Sequence, residues 1–269
     1  MLTSRILTAA LLLGGFLAAL FLLARWQFAI VVGLVVVVAA HEWAGLCGLR
    51  LRRKQVYVAA ACIAYSALAV AWLNGTSMVW LFGVATLFWG IAVPAWVHRG
   101  FDHPAAGRWL VPVGIFVIVP AGIAMLVLSP RSLLAVLALT WIADTAAYFT
   151  GRAWGRRKLA PRISPGKTQE GAAGALVAVV IYAIICATLL PELASLTRGA
   201  GWAILLAGAF VLAVMSILGD LFESAIKRRA GAKDSGTMLP GHGGVLDRID
   251  SATSTLPLAA LLFHWMLTP

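Results

Sequence analysis

The chain has 269 residues, of which 62% are apolar and only 12% charged, and its formal net charge is +11. An average soluble domain carries about 25% charged residues, and a soluble protein of this length has too little interior to bury so much apolar surface. These values exclude a soluble globular protein and indicate one whose outer surface is covered by lipid.

Nine apolar stretches are long enough to form membrane-spanning helices, which need about 20 residues. We predict these helices at residues 6–24, 28–49, 56–73, 78–97, 109–128, 132–150, 171–190, 201–222 and 251–267. The first resembles the apolar core of a signal peptide, but it is long for a cleaved segment and another span follows at once, so we predict a retained helix. The predicted fold class is all-α: a polytopic membrane protein with about nine transmembrane helices.

The basic residues are divided unequally between the two sides that nine helices would define. Eighteen of the 21 fall on one side, whereas Arg25, Arg131 and Arg198 fall on the other. Because cytoplasmic loops are enriched in Lys and Arg, this division predicts a cytoplasmic N-terminus. The bases form short clusters beside apolar stretches, as in loops that lie on anionic lipid, and they form no basic face or aromatic-interleaved patch. Nucleic acid is therefore excluded as a partner.

The acidic residues divide the chain near residue 130. Seven of the ten lie in two short regions, residues 144–170 and 220–250, whereas the first half is mostly Leu, Val and Ala. No inverted repeat of the kind found in many transporters is visible. We predict a single membrane domain over residues 1–269, in which residues 1–130 are mainly scaffold helices and residues 131–269 supply catalytic helices and cytoplasmic loops.

The first half contains one polar pair inside an apolar stretch, His41-Glu42. A zinc-protease motif would need a second His at position 45, which is Gly. We therefore predict a buried polar pair that contacts a neighbouring helix.

Asp144 lies near the end of the sixth predicted helix, and an ionisable residue in such a place is a functional candidate by default; Tyr148, one turn on, is its predicted local partner. In the following basic loop, Gly166-Lys167-Thr168 resembles part of a P-loop, but position 161 is Pro, where that motif requires Gly. A P-loop is excluded, and Ser164 and Lys167 are candidates for binding an anion. A polybasic loop that lies on anionic lipid is the alternative.

The densest group of ionisable side chains begins at the end of the eighth predicted helix. If the helix continues, one face carries two acids, a hydroxyl and a base: Asp220, Glu223, Ser224 and Lys227. A charged residue at the centre of a membrane helix costs roughly 2.5–3.5 kcal/mol, so these acids need a cation, a base or water as a partner. A salt bridge from Lys227 to Asp220 or Glu223 stays open as the simple explanation.

A polar, glycine-rich segment, residues 230–244, follows and ends in Gly241-His242-Gly243-Gly244. Glycines let backbone N–H groups approach an anion closely, as phosphate-binding loops require. Asp247 and Asp250 then open the ninth helix at the same membrane edge. Two helices that each offer carboxylates predict a Mg²⁺ site that substrate phosphates complete, with Asp220 and Asp247 as its main ligands. Glu223 and Asp250 either complete a second cation site or orient those ligands through water. The competing interpretation is that Asp247 caps the ninth helix and Asp220 pairs with Lys227. Neighbouring bases would bind phosphate oxygens: Lys227, Arg228, Lys233 and Arg248.

These residues resemble a known family. Ser224-x-x-Lys227-Arg228-x₄-Lys233-Asp234-x-Gly236-x₂-Leu239-Pro240-Gly241-His242-Gly243-Gly244-x₂-Asp247-Arg248-x-Asp250 is similar, over 27 residues, to the signature of phosphatidate cytidylyltransferases, also called CDP-diacylglycerol synthases. The stretches Asp144 to Gly151 and Ser164 to Gly171 resemble a second region of that family.

The resemblance implies a nucleotidyltransferase of phospholipid biosynthesis that converts CTP and phosphatidate into CDP-diacylglycerol and pyrophosphate and requires Mg²⁺. The enzyme would lie in a bacterial cytoplasmic membrane, as a multi-pass protein whose active site faces the cytoplasm and meets membrane lipids, and a homodimer is compatible with it. We assign catalysis to Asp220, Asp247 and Lys227. We assign substrate binding to Ser164, Lys167, Arg228, Lys233, His242, Gly243, Arg248 and Asp144.

Two alternatives stay open. The first is another CTP-dependent lipid or polyprenol kinase-type enzyme, which would transfer the γ-phosphate and release CDP. The second is an ion-coupled membrane transporter with Asp144, Asp220 and Glu42 as a relay. The clustering of polar residues at one membrane edge, away from the bilayer midplane, speaks against the transporter.

Overall fold

The computed structural model of the chain describes residues 2–99, 106–189, 193, 199, 201–239 and 243–267. The helices, numbered α1 to α10 in chain order, are Leu2–Leu22, Arg25–Leu46, Leu51–Leu73, Val79–Leu87, Val93–Arg99, Ala106–Val127, Pro130–Trp154, Gln169–Leu189, Gly201–Arg229 and Leu246–Leu267. A π-helical turn, Phe88–Ala92, joins α4 to α5, so the two continue as one helix. The described part of the chain is nearly all helical, as predicted.

A helix overlies each predicted apolar stretch within the described residues, but seven of these helices are long and apolar enough to cross a membrane. They are Arg25–Leu46, Leu51–Leu73, Val79–His98, Trp109–Val127, Pro130–Trp154, Gln169–Leu189 and Gly201–Arg229. In α1 the apolar part is short, Ala10–Leu22, and α10 begins with charged and hydroxyl side chains at residues 247–255. Seven such helices indicate a multi-pass membrane protein.

The polar start of α10 packs against α9 through hydroxyl groups. Ser251 Oγ donates to the Ser216 carbonyl at 3.2 Å, and Ser254 Oγ donates to the Met215 carbonyl at 2.7 Å. Gly219 permits this approach, because a Cβ there would lie 2.5 Å from Ser254 Oγ. Since buried hydroxyls are tolerated when they are hydrogen-bonded, these contacts hold side by side the two helices that carry most of the predicted acids.

A two-stranded antiparallel sheet lies between α7 and α8, where the sequence predicts a basic loop. Strand β1 is Lys158–Ala160 and strand β2 is Ser164–Thr168. Neither strand has the β-branched and aromatic composition that signals a strand, so the pairing depends on contacts from elsewhere. The Glu170 carboxylate in α8 accepts hydrogen bonds from the backbone N–H groups of Arg156 and Arg157, at 3.1 to 3.3 Å, and closes the base of the hairpin. The described part of the fold is therefore nearly all-α, and this hairpin departs from the predicted all-α class.

Helices α7 and α8 approach closely at two glycines of α8. A Cβ on Gly174 would lie 2.2 Å from Thr150 Oγ1, and a Cβ on Gly171 would lie 2.8 Å from the Ala147 carbonyl oxygen. Side chains larger than hydrogen would force the helices apart at both points. This close contact brings the end of α7 that carries Asp144 next to the hairpin.

Candidate active site

A cavity of about 540 Å³ opens among α7, the hairpin, α8, α9 and α10. Carboxylates from three different helices line it: Asp144, Asp220, Asp247 and Asp250. Ser164 and Lys167 of β2 also line the cavity, together with apolar residues and glycines of α7 and α8. The fold therefore brings six of the predicted site residues to one place, although they are up to about a hundred positions apart in the sequence.

Lys167 and Asp220 form an ion pair across the cavity wall. Lys167 Nζ donates to Asp220 Oδ2, and Ser224 Oγ, one turn along α9, donates to Oδ1 at 3.2 Å. Both charged side chains keep part of their surface exposed, 29% for Lys167 and 23% for Asp220. The pair is thus open to the cavity, and it joins the β2 strand to the helix that carries Asp220.

Asp144 faces the same cavity from α7. It is exposed and accepts no hydrogen bond from any residue that the structure describes. Tyr148, its predicted partner, instead accepts a hydrogen bond at its OH from Arg152 Nη1, at 3.0 Å. A carboxylate that shares a cavity with three others repels them, and a bound cation would relieve that repulsion.

Asp247 lies within hydrogen-bond distance of four donor groups. Lys227 Nζ donates to Oδ1 at 2.6 Å, while Oδ2 accepts from Ser235 N, Ser235 Oγ and Gly244 N at 2.9, 3.0 and 2.8 Å. Asp247 precedes the apolar stretch 251–267 and so lies outside the predicted membrane-spanning segment. Burial raises the pKa of the Asp247 carboxyl, but the Lys227 and N–H donors outweigh burial and lower the pKa below its ordinary value. The carboxylate is therefore the anchor of the glycine-rich loop.

Glu223 lies behind Lys227 and is absent from the described lining of the cavity. Its Oε1 is 3.4 Å from Lys227 Nζ, and its side chain is buried. Lys227 thus contacts two acids, Glu223 on its own helix and Asp247 on the next. The predicted salt bridge between Lys227 and Asp220 is wrong, since Asp220 pairs with Lys167.

Four other predicted site residues lie away from the described cavity lining. Arg228 is exposed, and its Nε is 3.5 Å from the Ile163 carbonyl oxygen in the hairpin turn. Lys233 and Arg248 are also exposed. Gly243 has a φ of +81°, a conformation that favours glycine, and a Cβ there would lie 2.9 Å from Asp247 Oδ2. His242 lies outside the described residues.

Sequence reasoning missed two features of the site. Tyr148 and Arg152 line the cavity as a hydrogen-bonded pair, and their spacing of four residues on one helix is the signal that indicates such a pair. The second is Glu42, which contacts the glycine-rich loop. The His41-Glu42 prediction holds only for Glu42, which is buried, because His41 is exposed.

The described residues contain no group of three or more His, Cys, Asp or Glu side chains arranged to hold a metal ion by themselves. Mg²⁺ does not require one, since it commonly binds through one or two carboxylates and takes its other ligands from water and substrate phosphates. Oxygen donors on several sides of the cavity fit such an ion. Asp144 and Asp220 suit this role better than Asp247, because they have fewer protein donors among the described residues: Asp144 has none and Asp220 has one on each oxygen. Asp247 has Lys227 on Oδ1 and two backbone N–H donors on Oδ2.

Comparison with known proteins gives matches to one family, and the family model and two of the three relatives cover nearly the whole chain. A family model described as the cytidylyltransferase family matches residues 3–266. The chain is 39% identical to a phosphatidate cytidylyltransferase of Pseudomonas aeruginosa, over 97% of each protein. It is 33% identical to the protein of that name from Haemophilus influenzae, over 99% of this chain and 100% of that one. A Thermotoga maritima protein of the same name is 44% identical over 48% of each chain.

Proposed function

The chain belongs to the cytidylyltransferase family, and from that membership we propose that it transfers the cytidylyl group of CTP to phosphatidate, giving CDP-diacylglycerol and pyrophosphate. The observation that carries this proposal is the cavity in which Lys167, Asp220 and the acids of α7 and α10 meet. A reaction between two phosphates needs charge neutralisation and positioning more than a protein nucleophile. The cavity offers both.

In the proposed reaction, a phosphate oxygen of phosphatidate attacks the α-phosphorus of CTP, and the bond from that phosphorus to the β-phosphate bridging oxygen breaks. Lys167 and Arg152 are the bases placed to bind phosphate oxygens at the cavity. Mg²⁺, held by Asp220 with Asp144 or Asp250, would neutralise phosphate charge. Lys227 keeps Asp247 in place beside them, and Ser164 offers a hydroxyl donor.

The predicted site residues that lie outside the cavity would help to capture CTP from solution. Arg228 lies in the last turn of α9 and Arg248 in the first turn of α10. Lys233 and the segment with His242 and Gly243 lie between these two helices in the sequence. Exposed basic side chains raise the local concentration of a polyanion such as CTP even when they do not contact it at the reaction centre. Glu223, behind Lys227, would act on the site through that lysine rather than as a ligand of a second cation.

We further propose nine membrane crossings, counting α1, the continuous helix α4–α5 and α10, with the N-terminus and the active site in the cytoplasm of a bacterial cell. The unequal division of the basic residues supports this orientation. The hairpin and the glycine-rich loop would then lie on one side, and residues 74–78 on the other.

Cysteine labelling tests this topology. Single cysteines are introduced at exposed positions of a variant that lacks the three native cysteines, and each is treated with a membrane-impermeant thiol reagent. Lys158→Cys and Met238→Cys are expected to react only after the membrane is made permeable. Thr76→Cys is expected to react in intact cells. Labelling of positions 158 and 238 from opposite sides would contradict the arrangement.

The two alternative functions predict different products. A kinase-type enzyme would release CDP, and a transporter would move an ion or solute without any nucleotide. We expect the purified protein, supplied with CTP, phosphatidate and Mg²⁺, to release pyrophosphate and form CDP-diacylglycerol in equal amounts. CDP release with a phosphorylated lipid product, or no nucleotide turnover, would contradict the proposal.

A further inference from the structure

Glu42 is a buried carboxylate in the half of the chain predicted to be scaffold. It lies one turn before the end of α2 and is only 5% exposed. An unpartnered charge in such a place is costly, so the groups that Glu42 contacts indicate the role of its side chain. Among the described residues, its hydrogen-bond donors come from residues 235–246, about two hundred positions further along the chain.

The carboxylate binds the start of α10. Oε1 accepts from Val245 N at 3.0 Å, and Oε2 accepts from Leu246 N at 2.9 Å. The first N–H groups of a helix have no partner within the helix and carry partial positive charge. Glu42 thus caps α10 from another helix, a role that a side chain just before the helix usually fills.

The same carboxylate holds the glycine-rich loop. Oε2 is 3.1 Å from Ser235 Oγ. The backbone closes around Glu42 at two glycines, since a Cβ at Gly236 would lie 2.6 Å from Oε1 and a Cβ at Gly244 would lie 2.6 Å from Oε2. These two glycines are therefore required because the loop lies directly against the Glu42 side chain.

The contact continues to the cavity through Ser235. The hydroxyl of Ser235 lies between Glu42 Oε2 and Asp247 Oδ2, at 3.1 and 3.0 Å, and the Ser235 N–H donates to Asp247 as well. A hydroxyl has one proton, so it can donate to only one of the two carboxylates at a time. Glu42 and Asp247 thus both contact Ser235 of the loop, and Asp247 is the one that lines the cavity.

We propose that Glu42 is a positioning residue for the reaction: it fixes the loop and the first turn of α10, and so sets the place of Asp247 at the cavity wall. Its role in catalysis rests on the function proposed above. Supporting groups of this kind typically change activity by 10- to 100-fold when removed.

Glu42→Gln tests the proposal, because either orientation of the amide turns an NH₂ group toward an N–H donor of α10. Amide hydrogen exchange at residues 243–247, measured on the full chain without substrate, is expected to accelerate by roughly tenfold or more. The kcat is expected to fall by roughly 10- to 100-fold, while KM for CTP changes by less than about threefold, because the phosphate-binding bases are untouched.

Tyr65→Phe is the matched control. It removes a buried hydrogen bond from Tyr65 OH to the Ala29 carbonyl of α2, 2.8 Å long, far from the loop in the sequence. It should lower thermal stability and leave both kcat and the exchange at residues 243–247 unchanged. If the Gln variant does not fold, Ser235→Ala gives the same test, with a smaller effect because the N–H contacts of Glu42 persist.

Unchanged amide exchange, or a kcat within about twofold of wild type, in a folded Glu42→Gln protein would overturn the proposal. Equal acceleration of exchange in Tyr65→Phe would also overturn it, since that result means a general loosening of α2. Failure of the wild-type protein to form CDP-diacylglycerol would instead refute the proposed function, whereas the exchange result concerns the loop alone.

Discussion

Asp220→Asn is expected to leave a folded, membrane-inserted protein with kcat lowered by at least about 10³-fold at every Mg²⁺ concentration. The substitution keeps the size of the side chain and removes the charge that Lys167 contacts across the cavity. It also removes the carboxylate best placed to hold Mg²⁺ beside the substrate phosphates. Steady-state turnover at rising Mg²⁺ concentrations measures the effect.

Tyr182→Phe serves as the control for stability. It removes the hydrogen bond from Tyr182 OH to the Ala135 carbonyl, 3.1 Å long, between α8 and α7. Loss of one such bond lowers the free energy of unfolding by about 1 kcal/mol. If Asp220→Asn only weakened the hydrogen bond from Ser224 to residue 220, it would lower the melting temperature by a similar amount without stopping turnover. A kcat near the wild-type value in Asp220→Asn would remove Asp220 from the list of catalytic groups.

The helices were predictable because their apolar stretches are long and because spacing within a helix is fixed. The i, i+4 relation between Glu223 and Lys227 follows from that spacing, and the structure confirms their contact. The apolar stretch of the eighth predicted helix ends at residue 222, and α9 continues beyond it to Arg229, as the shared face of Asp220 and Lys227 requires. Its extra turns contain Ala, Glu and Lys, which are good helix formers, so propensity also favours the continuation.

The contacts between helices were not predictable in the same way. Lys167 and Asp220 are 53 positions apart, and Ser235 and Glu42 are 193 apart. No local pattern in the sequence relates such residues, because their contact depends on how α2, α9 and α10 pack. The hairpin was missed for the same reason: its closure depends on the Glu170 carboxylate from the following helix.

The sequence did reveal which side chains to consider. Six of the predicted residues line one cavity, because ionisable groups in an apolar chain are rare and tend to cluster where they have a function. The sequence could not predict which acids face the cavity as candidate metal ligands and which bind other protein groups. Asp144, Asp220 and Asp247 all line the cavity. Asp247 differs in that Lys227 and two backbone N–H groups of the glycine-rich loop bind it.

Asp247→Asn is therefore expected to combine a loss of activity with a loosened loop. An amide placed at Oδ1 would direct its NH₂ at the Lys227 ammonium, and an amide placed at Oδ2 would direct it at the N–H groups of Ser235 and Gly244. Neither orientation satisfies the donors, so we expect kcat/KM to fall by at least about 10²–10³-fold. Amide exchange at residues 233–245 should accelerate in the same variant.

A double-variant cycle with Lys227→Ala separates this account from metal binding. If Lys227 acts mainly by holding Asp247, Lys227→Ala should itself cost roughly 10²–10³-fold in kcat/KM, and the double variant should be no worse than the more severe single one. Lys158→Ala is the control, since that exposed lysine lies on β1 outside the described cavity lining. If the two losses multiply, and the apparent Mg²⁺ affinity falls in Asp247→Asn but not in Lys227→Ala, then Asp247 is a metal ligand in its own right and the anchoring account is wrong.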